Sequence, residues 1–254
     1  MKVTILQLNS VWGNPDENIK KVEYLMSQAP DSDLYVLPEM WSTGFATEPF
    51  GIAEDANECK SLSWMIKIAD KHHCAICGSL AISLDGKFKN RHYFVNGRTG
   101  VVSYYDKHHL FKYGGEDQNY TCGDQKTVVE YKGFRFLLIT CYDLRFPVWI
   151  RYSHEYNYDA IIVVANWPDK RKDAWLSLSR ARAIENQAFV ISCNRVGNDP
   201  HCHYFGESVI LDPIGKILSC CRPNVEELTT CNLDIEMLQH LRSKFNVLKD
   251  RDIY

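Results

Sequence analysis

The sequence has no apolar run long enough to cross a bilayer, no polybasic stretch and no basic face. The first lack argues against a membrane-spanning helix. The other two, with both signs of charge mixed along the chain to a formal net charge of −3, argue against nucleic acid and a membrane surface as partners. A small molecule is the expected partner. Also missing are a Pro-, Gly- or Ser-rich linker and any short-period repeat, so one domain spanning residues 1–254 is expected. The amino end enters a polar-interrupted strand pattern at Val3, where a signal peptide would carry a continuous apolar core, and a cytoplasmic location is expected.

Cysteine is plentiful, with ten in the chain. Disulfide scaffolds concentrate their cysteines in much shorter chains, whereas most of these lie inside apolar strand-like runs and read as reduced and buried. Cys74 and Cys77 have C-x-x-C spacing, yet Ala75 and Ile76 between them continue a strand that turns neighbouring side chains opposite ways. His201, Cys202 and His203 have no second ligand pair of matching spacing and read as a surface loop. No metal or cofactor is required by the pattern.

Hydrophobic periodicity supplies the element order. Val3–Leu8 reads as a strand; Asn14 then caps a helix with Pro15 at its first position, Glu17 completing a capping box and Ile19, Val22, Leu25 and Met26 on its apolar face. Leu62, Met65, Ile66 and Ala69 predict a second helix of the same kind. Strands are predicted at Leu34–Leu37, Ala75–Ile82, His92–Val95, Val101–Tyr105, Thr127–Glu130, Phe134–Thr140, Ala160–Ala165 and Phe189–Cys193. Helices are predicted over Pro147–Tyr156 and Ala174–Asn186, and Asp212–Gly215 reverses a hairpin between Val209–Leu211 and Ile217–Ser219. The fold class expected is α/β, a four-layer αββα sandwich of two packed sheets with helices outside.

Three strand ends carry reactive groups. The apolar strand Phe134–Thr140 stops at Cys141, ahead of a helix start; unpaired N–H groups there are expected to lower the thiol's pKa. Leu34–Leu37 ends in Pro38-Glu39, and Val101–Tyr105 ends in Asp106-Lys107. Singly, each reads as a surface charge or one more buried cysteine; their shared placement at an open sheet edge is what points to a site.

Pro38-Glu39, Tyr105-Asp-Lys-His108 and Thr140-Cys-Tyr-Asp-Leu-Arg-Phe-Pro147 together resemble the three signature segments of the nitrilase, or carbon–nitrogen hydrolase, superfamily. The resemblance continues through Asn166-Trp-Pro168, Arg180–Gln187 and Gly206–Gly215 and is strongest to the bacterial omega-amidase branch. It implies the αββα fold and a Glu39–Lys107–Cys141 triad with Glu116 as a second glutamate. The implied reaction is hydrolysis of the ω-amide of α-keto acids such as α-ketoglutaramate through a thioester. In that chemistry Cys141 is the nucleophile, Glu39 the general base, and Lys107 with the Tyr142 backbone N–H the oxyanion holders. Trp41, Phe45, Asn166 and Trp167 are candidate pocket walls, and Arg171 a candidate anchor for the substrate carboxylate. A homodimer or higher homo-oligomer is expected through the helix around Arg180–Gln187, whose Leu178, Ala181, Ile184 and Ala188 suggest a packed side. Two rivals stay open: action on nitriles, N-carbamoyl amines or short-chain amides, and a non-catalytic binding protein on the same fold.

Overall fold

The computed structural model describes residues 1–252. In chain order the first half runs β1 (Lys2–Gln7), α1 (Pro15–Ser27), β2 (Leu34–Val36), β3 (Glu54–Asp55), α2 (Lys60–His72), β4 (Ala75–Leu84), β5 (Lys87–Asn96), β6 (Val101–Asp106) and the single turn α3 (Glu116–Asn119). The second half follows with β7 (Thr127–Tyr131), β8 (Phe134–Thr140), the short α4 (Pro147–Ile150), β9 (Ala160–Ala165), α5 (Lys172–Asn186) and β10 (Phe189–Asn194). It closes with β11 (Val196–Asn198), β12 (His203–Phe205), β13 (Val209–Leu211), β14 (Ile217–Cys220), β15 (Glu227–Asn232) and α6 (Ile235–Lys244).

One sheet has the order β15-β1-β2-β4-β5-β6 with β3 beside β4, the other β14-β13-β10-β9-β8-β7. Within them β1, β2 and β4 run parallel, as do β8, β9 and β10. The sheets face each other and helices cover both outer faces, so alternate residues of one strand enter different cores. In β8, Phe136 and Leu138 point between the sheets with Val3, Ile5 and Phe94, while Leu137 and Ile139 point outward to α5 and its surroundings. A strand buried on both sides needs no polar face, which is why it appears as an unbroken apolar run. On the other outer face α1 and α2 lay Ile19, Val22, Leu25, Trp64, Met65 and Ile68 over Leu6, Tyr35 and Ile76. This is the expected αββα sandwich.

The helix ends follow local chemistry. Asn14 accepts from the Glu17 N–H at 3.1 Å with Pro15 in the first turn, but the expected capping box is only half formed, because the Asn14 N–H goes to the Val11 carbonyl at 3.4 Å and the Glu17 carboxylate lies by Lys20. In α2 the buried stripe runs through Trp64, Met65, Ile68 and Ala69, and Ile66 faces solvent, because Trp64 takes the position against Trp41. The helix expected over Pro147–Tyr156 ends at Ile150: Arg151 turns to an extended backbone (φ −52°, ψ 129°) and the Tyr152 N–H leaves for the Asn186 side chain at 2.9 Å. On α5, Ile184 is exposed and the buried positions are Trp175, Ser179, Arg182, Ala183 and Asn186. β15 and α6, which the periodicity does not reveal, complete the fold by pairing β15 antiparallel to β1 and sinking Leu238 between the sheets.

Candidate functional site

Glu39, Lys107, Cys141 and Asn166 all lie just beyond the carboxyl ends of strands: β2, β6, β8 and β9. Face-to-face packing of the two sheets brings these ends together, and a cleft open to a ligand forms there.

Lys107 is fully buried, and its ammonium donates to Glu39 Oε1 and Glu116 Oε2, each at 2.8 Å. Asn90 of β5 ties the same carboxylates together, donating from Nδ2 to Glu39 Oε1 at 2.7 Å and to Glu116 Oε1 at 3.0 Å. Its own oxygen is held by the Ser79 hydroxyl at 2.8 Å. The remaining Glu39 oxygen accepts from the Asn166 N–H at 2.8 Å, and Glu116 Oε2 also accepts from the Phe111 N–H at 2.6 Å. A buried ion cluster is tolerable only when its lone pairs are satisfied in this way.

The protonation states follow from the same contacts. Burial acts to lower the Lys107 pKa, but the Glu116 and Glu39 carboxylates outweigh it and push the ammonium upward. Lys107 is therefore a fixed cation and no base. Glu116 is pushed up, by burial first, against the pull of Lys107. Burial also pushes the Cys141 thiol well up, Glu39 adds to the rise, and Lys107 opposes it. The expected lowering by a helix terminus is thus overturned. Cys141 heads a 3₁₀ turn, Cys141–Arg145, whose few N–H groups do not offset the desolvation of a thiol buried at the floor of the cleft.

The backbone at Cys141 is strained into the left-handed region, with φ +45°, and so is Met40 beside Glu39, with φ +43°. Both turns are pinned: the Met40 N–H donates to Ser79 Oγ at 2.8 Å, and the Thr140 N–H donates to Asp143 Oδ2 at 3.0 Å. From α5, Arg182 adds two N–H bonds to the Leu144 carbonyl, at 3.1 and 2.8 Å.

In front of Cys141 lies a pocket walled by Phe45, Phe111, Tyr142, Asn166, Trp167 and Tyr204. Two guanidinium groups face it: Arg145, 4.8 Å from the Trp167 ring, and Arg171, 5.0 Å from the Phe111 ring. Among the described residues neither is paired with a carboxylate. An amide with an anionic tail matches this combination of apolar walls and free cations.

The family model of the carbon–nitrogen hydrolases matches residues 2–243 of this chain. The chain belongs to this family. Among similar proteins are the omega-amidase YafV of Yersinia enterocolitica, 39% identical over 99% of this chain and 97% of its own length, and the 2-oxoglutaramate amidase of Bacillus subtilis, 34% identical over 100% of both. XC1258 from Xanthomonas campestris, a CN-hydrolase superfamily protein with an arsenic adduct in its active site, has the same fold. Its TM-score is 0.95 at 34% identity, covering 100% of this chain and 98% of that one. The carbon–nitrogen hydrolase fold thus extends over the described chain.

Of the residues singled out by sequence, Glu39, Lys107, Glu116, Cys141 and Asn166 form one contact network, and Phe45, Tyr142, Trp167 and Arg171 line its mouth. Trp41 does not. The turn at Met40 sends it beneath the sheet, fully buried against Trp64 at 5.3 Å between ring centroids. Cys74 and Cys77 are buried in the first sheet, away from the cleft. Asn90, Phe111, Arg145 and Tyr204 were missed. Arg145 lies within the Cys141–Pro147 segment itself and was open to notice, whereas Asn90 joins the site only through the pairing of β4 with β5. Cys202 and Tyr204 reach the pocket on the β11–β12 hairpin, so part of the expected surface loop is pocket wall.

Among the described residues no helix is long and apolar enough to cross a membrane, and no cluster of three or more His, Cys, Asp or Glu side chains is arranged to hold a metal ion.

Proposed function

We propose that this carbon–nitrogen hydrolase cleaves the ω-amide of small α-keto acid amides, such as α-ketoglutaramate, to acid and ammonia. The observation that carries the reading is the Lys107 cation locked between Glu39 and Glu116 behind Cys141, opening on a pocket with two unpaired guanidinium groups. Relatives named omega-amidase and 2-oxoglutaramate amidase, aligned over nearly the whole chain, support the substrate class.

In this reading Cys141 Sγ bonds to the amide carbon while Glu39 takes the thiol proton. Because the resting thiol is held protonated, transfer to Glu39 accompanies attack. Lys107 and the Tyr142 N–H stabilise the oxyanion, and Lys107 serves without giving up a proton. Glu39 then protonates the departing nitrogen, ammonia leaves, and a thioester remains on Cys141. A water gives its proton to Glu39 and attacks the thioester; the sulfur recovers that proton and the acid departs. Glu116 fixes Lys107 and, through Asn90, Glu39.

Arg145 and Arg171 attract the substrate's carboxylate, and the same charges, with Lys107 behind them, repel an α-ammonium. α-Ketoglutaramate is therefore preferred to glutamine. Purified protein given a panel of ω-amides, nitriles and N-carbamoyl amino acids tests this by ammonia release. Turnover should be greatest for keto-acid amides, and equal rates on glutamine would end the substrate reading while leaving amidase chemistry. The same reading takes residues 1–254 as one hydrolase domain working in the cytoplasm as a homo-oligomer. Ile184 of α5 and Ile214 of the adjoining β13–β14 turn are exposed and support the last point, which light scattering tests.

A further inference from the structure

Asp143 lies two residues after Cys141, is fully buried, and is used by neither proton transfer nor substrate contact in the reaction above. Its carboxylate collects four donors. Oδ2 accepts from the Tyr105 hydroxyl at 2.7 Å and the Thr140 N–H at 3.0 Å; Oδ1 accepts from the His109 N–H and the His109 Nδ1–H, each at 2.8 Å. Tyr105 and His109 are the residues two before and two after Lys107. One carboxylate thus grips both flanks of the segment that carries the cation and, through Thr140, the base of the elbow that carries the thiol.

We propose that Asp143 is the positioning residue that sets the register between Lys107 and Cys141. The two belong to different sheets, β6 and β8, which share no backbone ladder between them, so a side-chain strut must fix their separation. Cys141 is also held in a backbone conformation that a non-glycine residue keeps only when its surroundings over-determine it. Tyr105 completes the strut: its oxygen, fully buried, also accepts from the His108 N–H at 3.1 Å and the Trp149 indole N–H at 3.0 Å. His108 and His109 stack on Trp149 and Phe146, with ring centroids 3.6 and 3.8 Å apart, which holds the Lys107 segment flat against the elbow.

Asp143→Asn keeps the shape and breaks the strut. Whichever oxygen becomes an NH2 group, it meets a backbone N–H that cannot turn away, that of Thr140 or that of His109. The inference rests on the roles proposed for Lys107 and Cys141, so Cys141→Ala is run alongside. The test is hydrolysis of α-ketoglutaramate by the full chain, with active sites counted by alkylation of Cys141 and thermal unfolding followed in parallel. The expected result is a kcat per active site lower by on the order of 100-fold, since a misplacement of about 1 Å has that effect, with KM within about twofold. Tyr105→Phe should lower kcat by about tenfold, and the double variant should be no worse than Asp143→Asn alone, because both break one strut. A merely structural Asp143 would lower the unfolding temperature and the number of active sites but leave kcat per site unchanged, and that outcome overturns the proposal. If Asp143→Asn does not fold, an unchanged kcat in Tyr105→Phe overturns it instead. Activity in Cys141→Ala would sink the underlying reading; an inactive Cys141→Ala with a normal Asp143→Asn would sink only the strut.

Discussion

Behind Cys141 the structure places Lys107, Glu39, Glu116 and Asn90, fully or almost fully buried and joined by hydrogen bonds from 2.7 to 3.0 Å. In front of it, Phe45, Phe111, Trp167 and the two arginines form a wall of ring faces and unpaired charges, tied by one hydrogen bond from the Trp167 indole N–H to the Arg171 carbonyl at 2.8 Å. The first region has one arrangement only, since moving any member strands a charge in a medium that cannot solvate it. The second can exchange side chains without stranding a buried charge. Chemistry shared by a family belongs in a region of the first kind, and substrate choice in one of the second.

Lys107→Met gives the largest break in this contrast. It leaves Glu39 and Glu116 facing each other without the cation, and an oxyanion without its charge partner. Turnover should fall on the order of 1,000-fold or more, with stability lower by roughly 3–5 kcal/mol, read from kcat and denaturant unfolding. Lys107→Arg should rescue poorly, because a planar fork cannot replace a point charge between two carboxylates. Near-normal turnover in either variant would place Lys107 outside the chemistry.

Arg171→Ala, and separately Arg145→Ala, should act on the wall alone. KM for α-ketoglutaramate should rise about tenfold with kcat little changed, while KM for an uncharged short amide stays put. A drop in kcat without a change in KM would show that the wall takes part in the transition state and would dissolve the contrast.

The smallest effect lies beneath both regions. His92 of β5 is buried, donates from Nδ1 to the Ile139 carbonyl at 3.3 Å, and is held neutral by burial with its pKa lowered to about 3. The unfolded chain takes up this proton near pH 6.5 and the folded chain only near pH 3, so stability is lost as pH falls through that window. The loss is roughly 2 kcal/mol at pH 5. His92→Asn, whose amide can replace Nδ1, should flatten the acid side of the stability profile by about one proton and leave kcat nearly unchanged. An unaltered profile would show that His92 carries no such strain.

The buried cluster was the more legible region in sequence, for a physical reason. Glu39 and Cys141 each follow an apolar run that stays apolar because both its faces are covered, and Lys107 follows the edge strand β6, whose Val101 and Tyr104 are exposed but whose β-branched and aromatic residues still mark a strand, so the strand ends, and with them the site, announce themselves. Asn90 sits mid-strand between Lys89 and Arg91, and nothing local tells its inward polar group from its neighbours; only the pairing of β4 with β5 does. Trp41 was misplaced because nearness along the chain was taken for nearness in space, and a single left-handed residue, Met40, reversed its direction. β15 escaped because its mixture of Glu, Thr and Asn suits a strand at the end of a sheet's order with one covered face. The thiol's pKa was misjudged because charge near a helix start was weighed and desolvation was not.

In the proposed reaction Cys141 alone carries the acyl group and Glu39 manages its protons. Cys202 lines the same pocket and supplies a built-in alternative. Glu39→Gln removes the proposed base and one of the groups that raise the Cys141 thiol, so attack, which hands the thiol proton to Glu39, and deacylation should both slow. Mass spectrometry of the unaltered protein, quenched after brief exposure to α-ketoglutaramate, should find the keto-acid acyl group on the Cys141 peptide and on no other. An acyl group on Cys202, or sustained ammonia release by Glu39→Gln at the normal rate, would contradict the account.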